Sequence, residues 1–213
     1  SSSSSSSSGS VGTWESSTAV PTPQPPGRRL RRAAVENDGA ATAAVLAAHP
    51  AGSGFDPNQT DSGGYAALIL AASRGHGAVV ELLMGDARVD VNCVDRESLT
   101  PLMWASDQGH APVVRFILLD ERVDPNLTED TGCTAMILAA DRGHLEVVEA
   151  LLDHPRLSSP NVANERRYTP LLAAAARGHT SIVRLLLKHR RVNPCVGGNH
   201  GGTAVTLAAE QGH

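Results

Sequence analysis

From about residue 30 onward, apolar positions fall into pairs of short helical stripes separated by polar breaks. Between Thr134 and Asp153, the first stripe is Met136, Ile137, Ala139 and Ala140, and the second is Val147, Val148, Leu151 and Leu152. Both have the spacing that gathers side chains on one face of a helix. Thr134 stands where an N-cap belongs, with a hydroxyl to accept from the free amides of the first turn. Gly143 ends the first helix, because glycine takes the left-handed conformation of a C′ position without a steric penalty. A second helix starts near His144, and Pro155 to Asn161 leaves helix for an extended turn. Thr100-Pro101 and Thr169-Pro170 open two first helices with proline at N1, where a missing N–H is no loss. The unit is therefore helix, tight turn, helix, long loop.

This unit recurs. Gly-His appears at Gly75-His76, Gly109-His110, Gly143-His144, Gly178-His179 and Gly212-His213, in steps of 34, 34, 35 and 34. Ala66, Thr100, Thr134, Thr169 and Thr203 keep the same phase, as do Ala71, Ala105, Ala139, Ala174 and Ala208, and Asn58, Asn92, Asn126 and Asn161. One unit cannot bury its own apolar face, so neighbours must stack into a continuous core. The pattern predicts an all-α solenoid of stacked helix-turn-helix repeats with hairpin-like loops. Small residues such as Ala71-Ala72, Ala139-Ala140 and Ala173 to Ala176 allow close approach between first helices. Second helices such as Val79-Val80-Glu81-Leu82-Leu83 supply bulk.

The units divide the chain at 59–92, 93–126, 127–161 and 162–195, with a truncated unit at 196–213. Residues 28–58 read as a divergent N-terminal cap. There Leu30, Ala33, Ala34 and Val35 would form a helix ended by Gly39, and Ala43, Ala44, Val45 and Leu46 a second one stopped by Pro50. Because an uncapped solenoid exposes apolar surface, more chain is expected after His213. Residues 1–27, with Ser1 to Ser8 and Pro21, Pro23, Pro25 and Pro26, have almost nothing to bury and read as a disordered tail. Arg28-Arg29-Leu30-Arg31-Arg32 is read as a solvated helix start, with an import address as the alternative.

Composition narrows the function. Net charge is −4, which gives no basic footprint for nucleic acid. Aromatics are 3% of the chain, which suits close helix-to-helix packing of Ala, Leu and Val. Cys93, Cys133 and Cys195 are odd in number and form no CxxC pair, so neither a disulfide framework nor a zinc site is signalled, and a reducing intracellular compartment, cytoplasmic or nuclear, is expected. No stretch approaches the ~18 apolar residues of a membrane span. The sequons at Asn58 and Asn126 read as chance matches.

Thr100-Pro101-Leu102-Met103-Trp104-Ala105 through Gly109-His110, then Val113-Val114 and Ile117-Leu118-Leu119, resembles the ankyrin repeat family, and Thr169-Pro170-Leu171-Leu172-Ala173-Ala174 through Gly178-His179 resembles it again. The resemblance covers about residues 30–213. It departs from the family in two ways. The column after Thr-Pro-Leu, often histidine in the family, reads Ile69, Met103, Ile137, Leu172 and Thr206. The period of 34 or 35 exceeds the usual ~33. The resemblance implies a protein-interaction scaffold with no catalytic role, no cofactor and no metal, monomeric as a module. A second reading is the substrate-targeting arm of a larger enzyme, a kinase or ubiquitin ligase, whose catalytic part lies outside this chain.

Side-chain chemistry points the same way. Histidines one repeat apart lie a helix-packing distance of ~8–10 Å from each other, too far to share one zinc ion, so the Gly-His column is expected to bond turn amides. His49, His154 and His189 sit at second-helix ends, where a cation favours the dipole. Gly197 to Gly202 lacks the Lys-Ser/Thr of a phosphate loop and reads as a hairpin tip. Asp86, Asp90, Asp120, Asp124, Glu121 and Asp153 read as solvated loop carboxylates. Trp104 is expected to pack in the core. Recognition then falls to the loop tips and the outer side of the first helices, where the family resemblance places the binding face. The tip residues are Tyr65, Arg96, Glu97, Leu99, Asp130, Thr131, Cys133, Glu165, Arg166 and Tyr168. The helix residues are Arg74, Asp107, Gln108, Asp141, Arg142 and Arg177. These columns vary between units while the framework columns do not.

Overall fold

The computed structural model describes residues 24–198 and 202–213. Most of the serine-rich tail, the centre of the Gly197–Gly202 segment and His200 lie outside the described residues. The described chain holds eleven α-helices and no strand. First helices are α1 (Pro26–Glu36), α3 (Ala67–Ser73), α5 (Pro101–Asp107), α7 (Ala135–Arg142), α9 (Pro170–Ala176) and α11 (Ala204–Glu210). Second helices are α2 (Gly39–Ala48), α4 (Gly77–Met84), α6 (Ala111–Leu118), α8 (Leu145–Leu152) and α10 (Thr180–Lys188). The first helices α1 to α9 each pack on their own second helix and on the first helix of the next unit, α11 packs on α9, and second helices pack in a row.

Helix starts follow the threonine column. The hydroxyls of Thr100, Thr134 and Thr169 accept from the amides of Met103, Ile137 and Leu172 at 3.2, 3.3 and 3.3 Å. Ala66, in the same column, offers no side-chain cap. Gly75, Gly109, Gly143 and Gly178 have φ between 73° and 88°, which lets the chain reverse into the second helix. Their missing Cβ serves a further purpose. A methyl group on Gly109 would meet the His144 ring at 2.5 Å, and one on Gly143 would meet His179 at 2.7 Å. Each glycine is therefore the seat for the imidazole of the following unit.

The histidines do not bond turn amides as expected; they bond carbonyls of the preceding unit. A ring nitrogen of His76 lies 2.8 Å from the Ala34 carbonyl. His110, His144 and His179 reach Ser73, Asp107 and Asp141 at 3.1, 2.9 and 3.0 Å. A carbonyl can only accept, so the ring must donate. These carbonyls belong to the free ends of the first helices, where no intrahelical donor remains. His154 does the same for Leu118 at 3.2 Å, and His49 packs against Phe55.

The asparagine column is a second stitch. Asn126 donates from Nδ2 to the Arg156 carbonyl at 3.0 Å and accepts on Oδ1 from Ser158 N–H at 2.7 Å, and so holds both backbone groups of the next loop. Asn58, Asn92 and Asn161 do the same one unit apart. The amides of both sequon asparagines, Asn58 and Asn126, are thus bonded inside the fold. A third stitch has no counterpart in the sequence reading. Arg88, Arg122, Arg156 and Arg191 recur at 34, 34 and 35 residues, and each donates to carbonyls of the preceding unit, as Arg122 does to Met84 at 2.7 Å. Asp86 and Asp120 orient Arg88 and Arg122 through 2.6 Å ion pairs, so these two carboxylates are half-buried partners and not solvated loop charges.

The core is one continuous cluster from Leu30 to Ala204. Ala71, Ala139 and Ala174 are 0% exposed at the first-helix contacts, where helix axes approach closely. Leu30, Ala33 and Ala34 are buried in the N-terminal unit, but α1 stops at Asn37, which takes φ 56°, and not at Gly39. Asparagine tolerates the left-handed region; Asp38 then caps α2 through the Ala41 amide at 2.8 Å, and Gly39 becomes its first helical residue. The basic run folds into α1 with Leu30 fully buried. At the other end, Leu187 and Val205 are 53% and 78% exposed, in columns otherwise filled by buried side chains such as Leu152 and Leu171.

Candidate protein-binding surface

The tips that join one unit to the next first helix are built alike. Asp61, Asp95 and Glu129 each accept from the amides two and four residues on, and Asn164 accepts from Tyr168. The backbone closes the same loop, with the Asp95, Glu129 and Asn164 amides donating to the Leu99, Cys133 and Tyr168 carbonyls. Sequence reading missed this polar column, whose signal is a recurrence at 34, 34 and 35 residues. Near the turn, Gly64, Ser98, Gly132 and Arg167 take positive φ.

This geometry sorts the tip residues. Tyr65, Leu99, Cys133 and Tyr168 sit half-buried at the tip base; Arg96, Glu97, Asp130, Thr131, Glu165 and Arg166 stand exposed beyond it. Successive tips are tied together: Asp130 N–H reaches the Glu97 carbonyl at 3.3 Å and Glu165 N–H reaches Thr131 at 3.0 Å. Trp104 is not in the core. It is half-buried on the groove side of α5, its indole N–H bonds Asp95 at 2.8 Å, and Tyr65 packs edge-on against it at 6.1 Å. Its column explains the position, since Leu70, Leu138 and Leu207 are half-buried as well.

The helix residues fall into two groups. Arg142 pairs with Asp107 at 2.9 Å, and Arg177 with Asp141 at 2.9 and 3.1 Å, each from one unit to the next. Gln108 donates to Asp107 at 2.8 Å. The four charged side chains thus form a ladder along the groove wall. Arg74, Arg96 and Arg166 have no carboxylate partner among the described residues. Thr131, Cys133, Asp141, Arg166, Tyr168 and Arg177 come together around one recess of about 840 Å³ between α7, α9 and α11. Tyr65, Arg74, Arg96, Glu97 and Leu99 lie toward the other end of the groove.

Burial, reinforced by the nearby Asp90 charge, pushes the Cys93 thiol up to about 12. Burial raises the Cys133 thiol as well, against a 3.1 Å hydrogen bond from Asn164. Both are poor thiolates near neutrality. Among the described residues, no group of three or more His, Cys, Asp or Glu side chains is placed to hold an ion, and no helix is long and apolar enough to cross a membrane.

Paired antiparallel helices, glycine-seated histidines and projecting tips together define a stacked helical-repeat protein. A family model for ankyrin repeats (three copies) matches residues 31–128, 116–190 and 155–213, and the chain belongs to that family. Ankyrin repeats are generally protein–protein interaction modules and are typically non-catalytic. Comparison with curated proteins gives no match.

Proposed function

We propose that the chain is a scaffold that binds a partner protein along the groove formed by its loop tips and first helices. One observation carries this reading. The histidine, asparagine and loop-arginine columns are committed to holding the stack, whereas the exposed tip side chains differ from unit to unit, and the groove includes three guanidiniums with no carboxylate partner among the described residues. Arginine and tyrosine, both present here, are among the residue types that anchor interfaces. Free cysteines suit a reducing compartment inside the cell. The test is quantitative capture from a cell extract by the full chain. Arg96→Glu with Arg166→Glu alters the groove; Arg115→Glu with Arg184→Glu, on exposed second-helix positions, serves as the control. The groove variant should lose a partner at least about tenfold while the control retains it. Equal capture by both variants would contradict the proposal.

A further inference from the structure

The groove wall is cut back at one place. Leu70, Trp104, Leu138 and Leu207 occupy one groove-facing column, but α9 has Ala173 there. One turn on, Asp107, Asp141 and Glu210 share a column with Ser73, and α9 has Ala176. The ion-pair ladder stops at the same point. Its rungs are Asp107–Arg142 and Asp141–Arg177; the next would join residue 176 to residue 211, and these are Ala176 and Gln211. The 840 Å³ recess opens here, within the ~300–1,000 Å³ that accommodates specific ligands. Ala173 is 1% exposed and lies beneath its neighbours. The accessible floor is half-buried Ala176, walled by Leu138, Leu207 and Tyr168. On the rim, Arg177 answers Asp141, while Arg166 is exposed with no carboxylate partner among the described residues, and Glu210, near the C-terminal end of α11, lines the recess away from the tip that carries Arg166.

We propose that this recess takes a bulky apolar side chain of an extended partner peptide, with a carboxylate of the same peptide on Arg166. The proposal rests on the groove reading and makes it specific. The floor supplies apolar contact where every other unit with an acid in this column would bury a charge. The unanswered guanidinium favours an acid on one side of the anchor, and Glu210 disfavours an acid on the other, so the peptide has one preferred direction.

Randomised linear peptides displayed on phage and panned against the full chain provide the probe, with selected peptides resynthesised and titrated. Ala176→Asp with Gln211→Arg restores the missing rung, using residue types that the chain already carries at Asp107, Asp141, Arg142 and Arg177, so the fold is expected to persist, as checked by an unchanged melt. Selected peptides should share a Phe, Trp, Leu or Met with an acid nearby. The double variant should weaken them at least about tenfold, and Arg166→Glu at least about threefold. Arg115→Glu, on an exposed second-helix position outside the groove, should leave them unchanged. Peptides that ignore the double variant but lose affinity with Arg96→Glu, at the far end of the groove, would overturn the recess and leave the groove reading standing. Peptides indifferent to all three groove variants would overturn both. Failure to enrich peptides with a shared apolar residue overturns the recess. So does a wild-type dimer in sedimentation that the double variant dissociates, which would place a second copy of the chain there.

Discussion

Asn126 gives up two backbone partners, the Arg156 carbonyl and the Ser158 N–H, if its amide is removed. Hydrogen bonds of this kind are each worth about 0.5–1.5 kcal/mol net. Asn126→Ala should therefore lower the unfolding free energy by about 1–3 kcal/mol, read from the shift in denaturant midpoint, whereas replacing the exposed Thr128 beside it should change little. Gly109 makes a different demand. Its φ of 77° is strained for any residue with a Cβ, and that Cβ would strike the His144 ring at 2.5 Å. Gly109→Ala is expected to cost at least about 1 kcal/mol, measured by the same unfolding curve, and His144→Ala should relieve part of the penalty in the double variant. A neutral Gly109→Ala would show that the histidine does not depend on the glycine.

The carboxylates at Asp86 and Asp120 contribute on one side of the pH scale only. The Arg88 and Arg122 side chains hold them below their usual value of 3.8, against the opposing effect of burial. A depressed folded-state value means that the stabilisation is complete above about pH 5 and drains away as pH falls through 3.8 and below. Arg122→Ala should therefore narrow its stability gap from the wild type as urea titrations move from pH 6 toward pH 3. A gap independent of pH over that range would remove the ion pair from the account.

At the scale of elements, the first helices are short and could not stand alone in water; their caps and their small faces make them useful. Ala139, fully buried between first helices, leaves no room for growth. Ala139→Leu should cost about 1–3 kcal/mol by overpacking, read as a lowered melting temperature; an unchanged melt would mean that the helices are spaced more loosely than the structure shows. Helix existence was legible in the sequence because apolar period, threonine cap and glycine stop coincide in the four units that open at Thr100, Thr134, Thr169 and Thr203. The first unit was read less well, since its stop is Asn37 and Gly39 lies inside the next helix, and both residues can serve as stops. Trp104 was misplaced for a related reason. Its column is apolar, but a repeat stack has apolar columns both in its core and along its groove, and periodicity alone does not separate them.

For the whole molecule, the stack is a chain of nearest-neighbour contacts, and its stability sums unit and interface terms. The histidine, asparagine and arginine columns all act across interfaces. The first two were visible as repeated residues, but their partners were not, because a column shows recurrence and not direction. The arginine column escaped notice since its interval lies in the loops, where charge is ordinarily solvated. The candidate site was legible as the set of positions that vary within the period. The cross-unit pairing of Asp107 with Arg142 and Asp141 with Arg177 was not, because it joins residues 35 and 36 apart.

The central claim is a division of labour: repeated columns hold the fold and variable columns are free for a partner. It is tested most directly by comparing urea midpoints of two variants. In one, the exposed tip residues Arg96, Glu97, Glu165 and Arg166 are all changed to serine; in the other, only Asn126 is changed to alanine. The account predicts that the fourfold surface variant unfolds within about 0.5 kcal/mol of the wild type and that the single asparagine variant is clearly less stable. A destabilised tip variant beside an unaffected Asn126→Ala would contradict it.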